Sequence, residues 1–230
     1  MKKNPKKYLF FIVIVLILTT SCTKVKTTYY SNNTISSVVT MKHNKKNGRA
    51  RYYFTNGALQ QETYFKDDKA HGLLRRWKTN GILQSEEHYT DGLKNGIATI
   101  WDEKGHKVSQ LTYCNDTLDG LAKEWYETGS LRLEGNYRHG MFDGRWIWMS
   151  QEGKVVGEGN FIGGKGIVKS FYLNSKPSAI THYTNNEKDG QEIAWDESRK
   201  IKLERLWQMG KIIVPDSTGK QGLQPHSNAK

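Results

Sequence analysis

Glycine recurs at a fixed interval of 24 residues through the middle of the chain, at Gly48, Gly72, Gly96, Gly120 and Gly144. The same phase returns at residue 166, after one unit that is two residues short, and again at residue 190. A period of this length is typical of repeat proteins, in which each unit packs against its immediate neighbours. The chain is therefore predicted to consist of about seven 24-residue units over residues 48–210 rather than of globular domains.

Two aromatic positions repeat with these glycines and are together termed the aromatic ladder. The members five positions after a glycine are Tyr53, Trp77, Trp101, Trp125 and Trp195. The members seventeen positions after a glycine are Phe65, Tyr89, Tyr113, Tyr137, Phe161, Tyr183 and Trp207. A second glycine follows polar residues nine positions into most units, as in the segment ETG at 127–129. Each unit thus carries the same arrangement of aromatic residues and glycines.

Apolar and polar residues alternate on both sides of this second glycine. Such a period of two favours β-strands, and glycine after a polar residue supplies the positive φ of a tight hairpin turn. Each unit is therefore predicted to be a β-hairpin, with a longer polar return turn such as DGLKNG at 91–96. The predicted fold class is all-β: an elongated single-layer antiparallel sheet of about fourteen strands.

The position of the bulky residues within the unit predicts how the sheet packs. They fall at odd positions and the recurring glutamate at position fourteen falls at an even one, so the two sets are expected on opposite faces. A single-layer sheet has no central core, and the aromatic ladder is expected to serve mainly as its packing surface. Sugars, bases or a peptide stacked on the same row are the functional alternative.

The segment RWIWM at 145–149 departs from the repeat pattern. It places tryptophan at even positions, on the face that should be polar. Trp146 and Trp148, with Phe142 nearby, are therefore expected to be exposed and are the candidate partner-binding patch.

The first residues have the features of a targeting segment. Four lysines precede an apolar run from Tyr8 to Leu18, which is too short to span a bilayer comfortably. The following LTTSC resembles the lipobox of bacterial lipoproteins. The resemblance implies a signal peptide over residues 1–21 and a lipidated Cys22 that attaches the protein to a membrane of the cell envelope, facing the periplasm or in the outer membrane. An ordinary secretory peptide or an uncleaved anchor is the alternative.

Three segments are expected to differ from the regular repeat. Residues 22–47 contain the lipidated N-terminus and a degenerate first repeat, and residues 211–230 are predicted to form a disordered tail. Pro177 stands where other units have leucine or valine. Because proline cannot donate a hydrogen bond to a ladder, a local bend or break is expected there.

The chain carries a formal net charge of +12. A basic surface could attract nucleic acid, anionic lipid or an acidic polymer, whereas lysine and arginine spread among acids over all units make a solubilising surface. The spread observed favours the second interpretation, and nucleic acid is not an expected partner.

The repeat unit resembles the MORN repeat, and more closely its bacterial variant, in proteins often described as antitoxin components of toxin–antitoxin systems. The resemblance covers residues 48–207 and, more weakly, 24–47. It implies a ribbon of β-hairpins with a binding or scaffolding role and without catalytic residues.

The sequence contains no HExxH, no GxSxG and no paired CxxC motif, so no metal, cofactor or catalytic residue is predicted. The expected function is that of a non-enzymatic envelope lipoprotein whose ribbon binds a protein partner, in the manner of an antitoxin or immunity protein. The alternative is a module that binds glycan or anionic lipid through the aromatic row and the basic surface. Neither the partner nor the oligomeric state follows from the sequence.

Overall fold

A computed structural model describes residues 23–214, which form one antiparallel sheet of eighteen strands. In chain order the strands are β1 (Thr23–Tyr29), β2 (Ile35–Lys42), β3 (Lys45–Tyr53), β4 (Leu59–Lys66), β5 (Lys69–Ala70), β6 (Gly72–Trp77), β7 (Leu83–Thr90), β8 (Leu93–Trp101), β9 (Lys107–Cys114), β10 (Thr117–Trp125), β11 (Leu131–Arg138), β12 (Met141–Met149), β13 (Val155–Ile162), β14 (Lys165–Phe171), β15 (Pro177–Thr184), β16 (Glu187–Trp195), β17 (Ile201–Gln208) and β18 (Lys211–Val214). Within this range no helix has the length and apolar character needed to cross a membrane.

Apart from β5 and β6, which both pair with β4, each strand pairs with the next strand along the chain, so the sheet grows hairpin by hairpin. This confirms the predicted all-β, single-layer antiparallel architecture. The strands outnumber the expected fourteen because β1, β2 and β18 extend the sheet and because one strand is divided into β5 and β6. At about 4.8 Å between neighbouring strands, the ribbon is roughly 75 Å long.

The two kinds of turn are exchanged relative to the sequence prediction. The return turn is the tight one: Asp67 and Asp68 both have positive φ, at 48° and 70°, and directly join β4 to β5. The turn at the second glycine is longer. In the turn between β3 and β4, Phe54 N donates to Ala58 O at 2.8 Å and Gly57 N donates to Phe54 O at 2.9 Å. A type I′ turn needs two left-handed residues, which Asp and Asn tolerate, and this explains the polar return turns.

The first glycine of a regular unit lies in the first strand of the hairpin and marks a bulge. Gly120 has a φ of 117°. Between the pairs Leu118–Tyr113 and Ala122–Leu111, β10 contains two residues more than β9 does. A Cβ at this position would lie 3.0 Å from Cβ of Thr112. Both the backbone conformation and the close approach therefore require glycine.

Pro177 does not break the sheet, contrary to the expectation. It is the first residue of β15 and stands opposite Phe171, as the equivalent residues do in the other hairpins. Proline is tolerated at the first residue of a strand. Residues 211–214, which were expected to belong to a disordered tail, form β18 instead. Residues 215–230, like the predicted signal peptide and Cys22, lie outside the described residues.

The assignment of residues to the two faces was partly wrong. Opposite residues in an antiparallel pair share a face, and Ala122 stands opposite Gly135 while Lys123 stands opposite Glu134. The buried row therefore includes position two of each unit, an even position, together with position fifteen. It defines the inner face. The members of position two are Ala50, Leu74, Ala98, Ala122, Trp146, Val168 and Glu192.

The ladder residue at position five also belongs to the inner face. A bulge at the end of β10 places Trp125 opposite Leu131, two residues from the pair Glu124–Leu133. The bulge returns an odd position to the face of the even ones. Positions one and three, by contrast, share the outer face with the glutamate at position fourteen.

The short unit lacks the strand bulge that other return turns carry. Between β13 and β14 the register runs without a shift from Gly157–Ser170 to Ile162–Lys165. The two residues missing from the repeat are therefore the two bulge residues. The turn is Gly163–Gly164, and a Cβ on Gly164 would lie 2.9 Å from Oδ1 of Asn186.

Asn186 ties together the turns on both sides of this short hairpin. Its Oδ1 accepts from Phe142 N at 2.7 Å, and its Nδ2 donates to Gly140 O at 2.9 Å. Its own backbone N–H donates to Gly164 O at 3.1 Å. The Asn186 side chain thus passes over the Gly163–Gly164 turn, where the absence of side chains leaves room for it.

Two glutamates are buried on the inner face and are held by cations. Glu87 accepts hydrogen bonds from Tyr89 at 2.9 Å, Arg76 at 3.0 Å and Lys94 at 3.1 Å. Burial alone would raise the pKa of Glu87, but these hydrogen bonds outweigh burial and leave the pKa below its usual range. Burial and the hydrogen bond to Glu87 raise the pKa of Tyr89 to about 12.

Glu192 repeats this arrangement near the C-terminal end. It accepts from Lys188 Nζ at 2.7 Å and from the indole N–H of Trp207 at 2.8 Å. Burial opposes ionisation, but the two hydrogen bonds leave the pKa of Glu192 below its usual range. The carboxylate therefore stabilises the folded state only while it is ionised.

We expect Glu192→Gln to lower the free energy of unfolding at pH 7 by about 1–3 kcal/mol, because charged hydrogen bonds are lost. A carboxylate whose pKa is lower in the folded state contributes stability above its unfolded pKa, about 4.3, and loses it as the pH falls through the folded value. Unfolding in urea between pH 7 and pH 3 should therefore show a smaller acid-induced loss of stability in the variant. The exposed Glu127→Gln is the control, and an equal slope in wild type and Glu192→Gln would contradict the assignment.

Candidate interaction site

The structure places the predicted tryptophan patch in the hydrophobic core of the ribbon. Trp146 is only 1% exposed, so the expectation that it is exposed is wrong. The core cluster consists of Ala122, Trp146, Phe161 and Val168, all on the inner face. Trp146 lies there because it occupies position two of its unit, which the strand pairing places on the inner face.

Glycines on the neighbouring strands make room for the indole. A Cβ at Gly135 would lie 2.0 Å from Cδ2 of Trp146, so no other residue can occupy that position while Trp146 stays. The indole N–H of Trp146 donates to Asn136 O at 3.0 Å. A buried tryptophan needs such a partner for its polar atom.

Phe142 and Trp148 are half-buried and pack on this cluster. The ring centroids of Phe142 and Trp146 are 4.3 Å apart, and those of Phe142 and Phe161 are 5.2 Å apart. The Trp146 and Trp148 centroids are 6.2 Å apart. The three residues predicted as a binding patch are thus brought together, with Trp146 as a core residue and the other two as its cover.

The aromatic ladder lies on the inner face along the described ribbon. Phe161 is fully buried, and the other ladder residues are half-buried. Lysines cover several of the rings: the ammonium of Lys94 is 5.2 Å from the centroid of Tyr113, and that of Lys188 is 4.6 Å from the centroid of Trp207. Contacts at these distances are cation–π contacts, and they join consecutive strands.

The outer face presents a different surface, which the sequence reasoning missed. Ile97 is 46% exposed and Leu121 is 45% exposed, each one position after the first glycine of its unit. With the half-buried Leu73 they form the outer stripe, defined as Leu73, Ile97 and Leu121. Consecutive members are two strands apart, or about 10 Å. The apolar residues at position one can be read in the sequence. The pairing of position zero with position seventeen, which decides the face they lie on, is seen only in the structure.

Charged pairs flank the outer stripe beside two of its members, Leu73 and Leu121. Arg75 contacts Glu86 at 2.7 Å, and Lys123 contacts Glu134 at 3.1 Å. An apolar centre with a polar rim is the usual anatomy of a protein–protein interface.

Chemistry-bearing residues do not gather elsewhere in the part of the chain that the structure describes. Within residues 23–214, no group of three or more His, Cys, Asp and Glu side chains could hold a metal ion. The histidines that contact an acid do so singly, as His106 does with Asp102 at 3.3 Å. Cys114 is an exposed free thiol.

The comparison with protein families agrees with the geometry of the hairpins. The family described as MORN repeat variant matches three segments of the chain, residues 46–67, 70–91 and 118–139. Each segment begins just before or within the first strand of a hairpin and ends in the following return turn. The chain therefore carries repeats of the MORN variant type. Among curated proteins, none matches this chain.

We expect Trp146→Ala to lower the free energy of unfolding by about 3–5 kcal/mol, because it opens a cavity in the core cluster. Trp125→Ala removes a half-buried ladder residue and should cost less, about 1–3 kcal/mol. Denaturant unfolding followed by circular dichroism measures both. A smaller loss for Trp146→Ala than for Trp125→Ala would contradict the assignment of Trp146 to the core.

Proposed function

We propose that this protein is a non-enzymatic binding ribbon that holds a protein partner on its outer face. The observation that carries the proposal is the outer stripe, an exposed apolar row on a sheet face. Polar residues of the intervening strands alternate with its members, since His88 stands opposite Leu73 and Thr112 stands opposite Ile97. Apolar residues grouped on one open face mark an interaction surface. The regular spacing of the stripe suits a partner that lies across several strands.

The inner face is less suited to this role. Its largest side chains are buried or packed on one another, and lysines cover several ladder rings. A partner there would have to displace contacts that hold the sheet together. The outer face offers apolar surface without that cost, and its charge pairs supply a polar rim.

The proposal includes attachment to the cell envelope through a lipid on Cys22. It is supported by the sequence before residue 23, in which a basic start and a short apolar run lead to LTTSC. Two or more acyl chains hold a protein on a bilayer, whereas one gives only marginal binding. A toxin or effector neutralised outside the cytoplasm, in the manner of an immunity protein, is the partner most consistent with the MORN-variant repeats and this location.

Photo-crosslinking in the native cells tests the partner and the face together. A photoreactive residue at Leu121 should recover one protein in near-equal amount to the ribbon. The same residue at Glu127, on an exposed turn away from the stripe, is the matched control and should recover little. Equal yields at the two sites, or recovery of only glycan or general envelope proteins, would contradict the proposal.

The anchor is tested by fractionation. We expect Cys22→Ser to release the protein from membranes and to abolish labelling by an acyl-chain probe, because the thiol that would carry the lipid is gone. Cys114→Ser is the control and should stay membrane-bound and labelled. Unchanged fractionation of Cys22→Ser would overturn the lipoprotein assignment.

A further inference from the structure

A groove of about 780 Å³ opens on the outer face at the short unit. Its lining includes Arg145, Glu158, Ile167, Lys169, His182 and Asp189, from strands β12 to β16. The volume is within the range of sites that enclose a small ligand or a few side chains. The groove lies along the same face as the outer stripe, and Ile167 occupies the position in its unit that Leu121 occupies in its own.

The missing bulge explains why the groove is at this unit. At a regular junction the bulge sets the first glycine against the preceding unit, as Gly120 is set against Thr112. At the short unit the register has no shift, so no bulged backbone covers this part of the outer face. Gly166 lines the groove, and a Cβ there would lie 2.4 Å from Asn160 O, so its position stays without a side chain.

The groove is rich in hydrogen-bond donors that have few partners. Among residues 23–214, neither Lys165 nor Lys169, which both line it, forms a side-chain ion pair. Arg145 and Glu158 are 3.5 Å apart, and both are well exposed. Nδ1 of His182 lies 2.7 Å from Gln191 O. Because a carbonyl only accepts, Nδ1 carries a proton, and Nε2 is the remaining polar atom of the ring.

The chemistry favours an acidic ligand that also has apolar parts. The lysines and Arg145 suit carboxylates, and Ile167, which is 44% exposed, suits an aliphatic side chain. Glu158 and Asp189 also line the groove. They would repel a polyphosphate or a densely charged anionic surface, whereas they can accept N–H groups from a peptide backbone.

We propose that this groove binds an acidic, aliphatic-containing peptide segment of the protein partner. The inference rests on the proposed function, since it names the chemistry of the partner and extends the outer stripe into the groove. The peptide's carboxylates lie against Lys165 and Lys169, and an aliphatic side chain lies against Ile167.

Binding of a blocked pentapeptide to the purified chain tests the proposal. The probe is fluorescein-labelled Glu-Ile-Glu-Ile-Glu, measured by fluorescence anisotropy at low salt. We expect Lys165→Gln/Lys169→Gln to weaken binding by about three- to tenfold, the effect of losing two exposed charge pairs. The matched control, Lys66→Gln/Lys69→Gln, removes the same charge beside the return turn that joins β4 to β5 and should change the affinity less than twofold. Equal losses in the two variants would show attraction to net charge alone and would overturn the proposal.

A second variant and three competitors separate the remaining outcomes. Ile167→Asp keeps both lysines and should still weaken binding of the peptide several-fold. Inorganic phosphate, phosphatidylglycerol vesicles and the reversed-charge peptide Lys-Ile-Lys-Ile-Lys should not displace the probe at equal concentration. Displacement by phosphate or vesicles would assign the groove to those anions instead, and absence of measurable binding to wild type would refute the peptide site. Because the assay uses a defined peptide, its failure leaves the crosslinking test of the outer face unaffected.

Discussion

The arrangement of both faces depends on one constraint, the antiparallel pairing of each strand with the next. Pairing fixes which residues stand opposite one another, and residues that stand opposite share a face. Since position zero pairs with position seventeen, even positions of one strand join odd positions of the next. The inner core, the outer stripe and the flanking charge pairs all follow from this register.

Bulges adjust the register twice in a regular unit. One bulge returns the ladder residue, such as Trp125, to the inner face, and the other separates consecutive hairpins at the first glycine. A bulge increases local twist and re-aims side chains, so loss of one changes the sheet where it occurs. At the short unit the consequence is double: Asn186 joins turns two units apart, and the outer face opens into the groove.

One strand therefore serves two purposes at this point. The segment RWIWM sends Trp146 and Trp148 to the inner face, where they complete the core, and Arg145 to the outer face, where it lines the groove. The departure of this segment from the repeat pattern coincides with the core cluster on one face and the groove on the other. The aromatic residues that drew attention there stabilise the ribbon, whereas the less conspicuous charged residues on the other face are the candidates for binding.

The sequence alone determined the repeat, the hairpins and the all-β single-layer sheet. It also determined that the recurring glutamate and the aromatic ladder lie on different faces. These follow from local properties, namely a period of two within strands, glycine at fixed intervals and polar turns. Only the tertiary structure decided which turn is tight, which face holds Trp146, and that the short unit lacks its bulge and opens a groove. Those features depend on how one strand is registered against another. A shift of one residue in that register exchanges the faces without altering the alternation that can be read along a single strand.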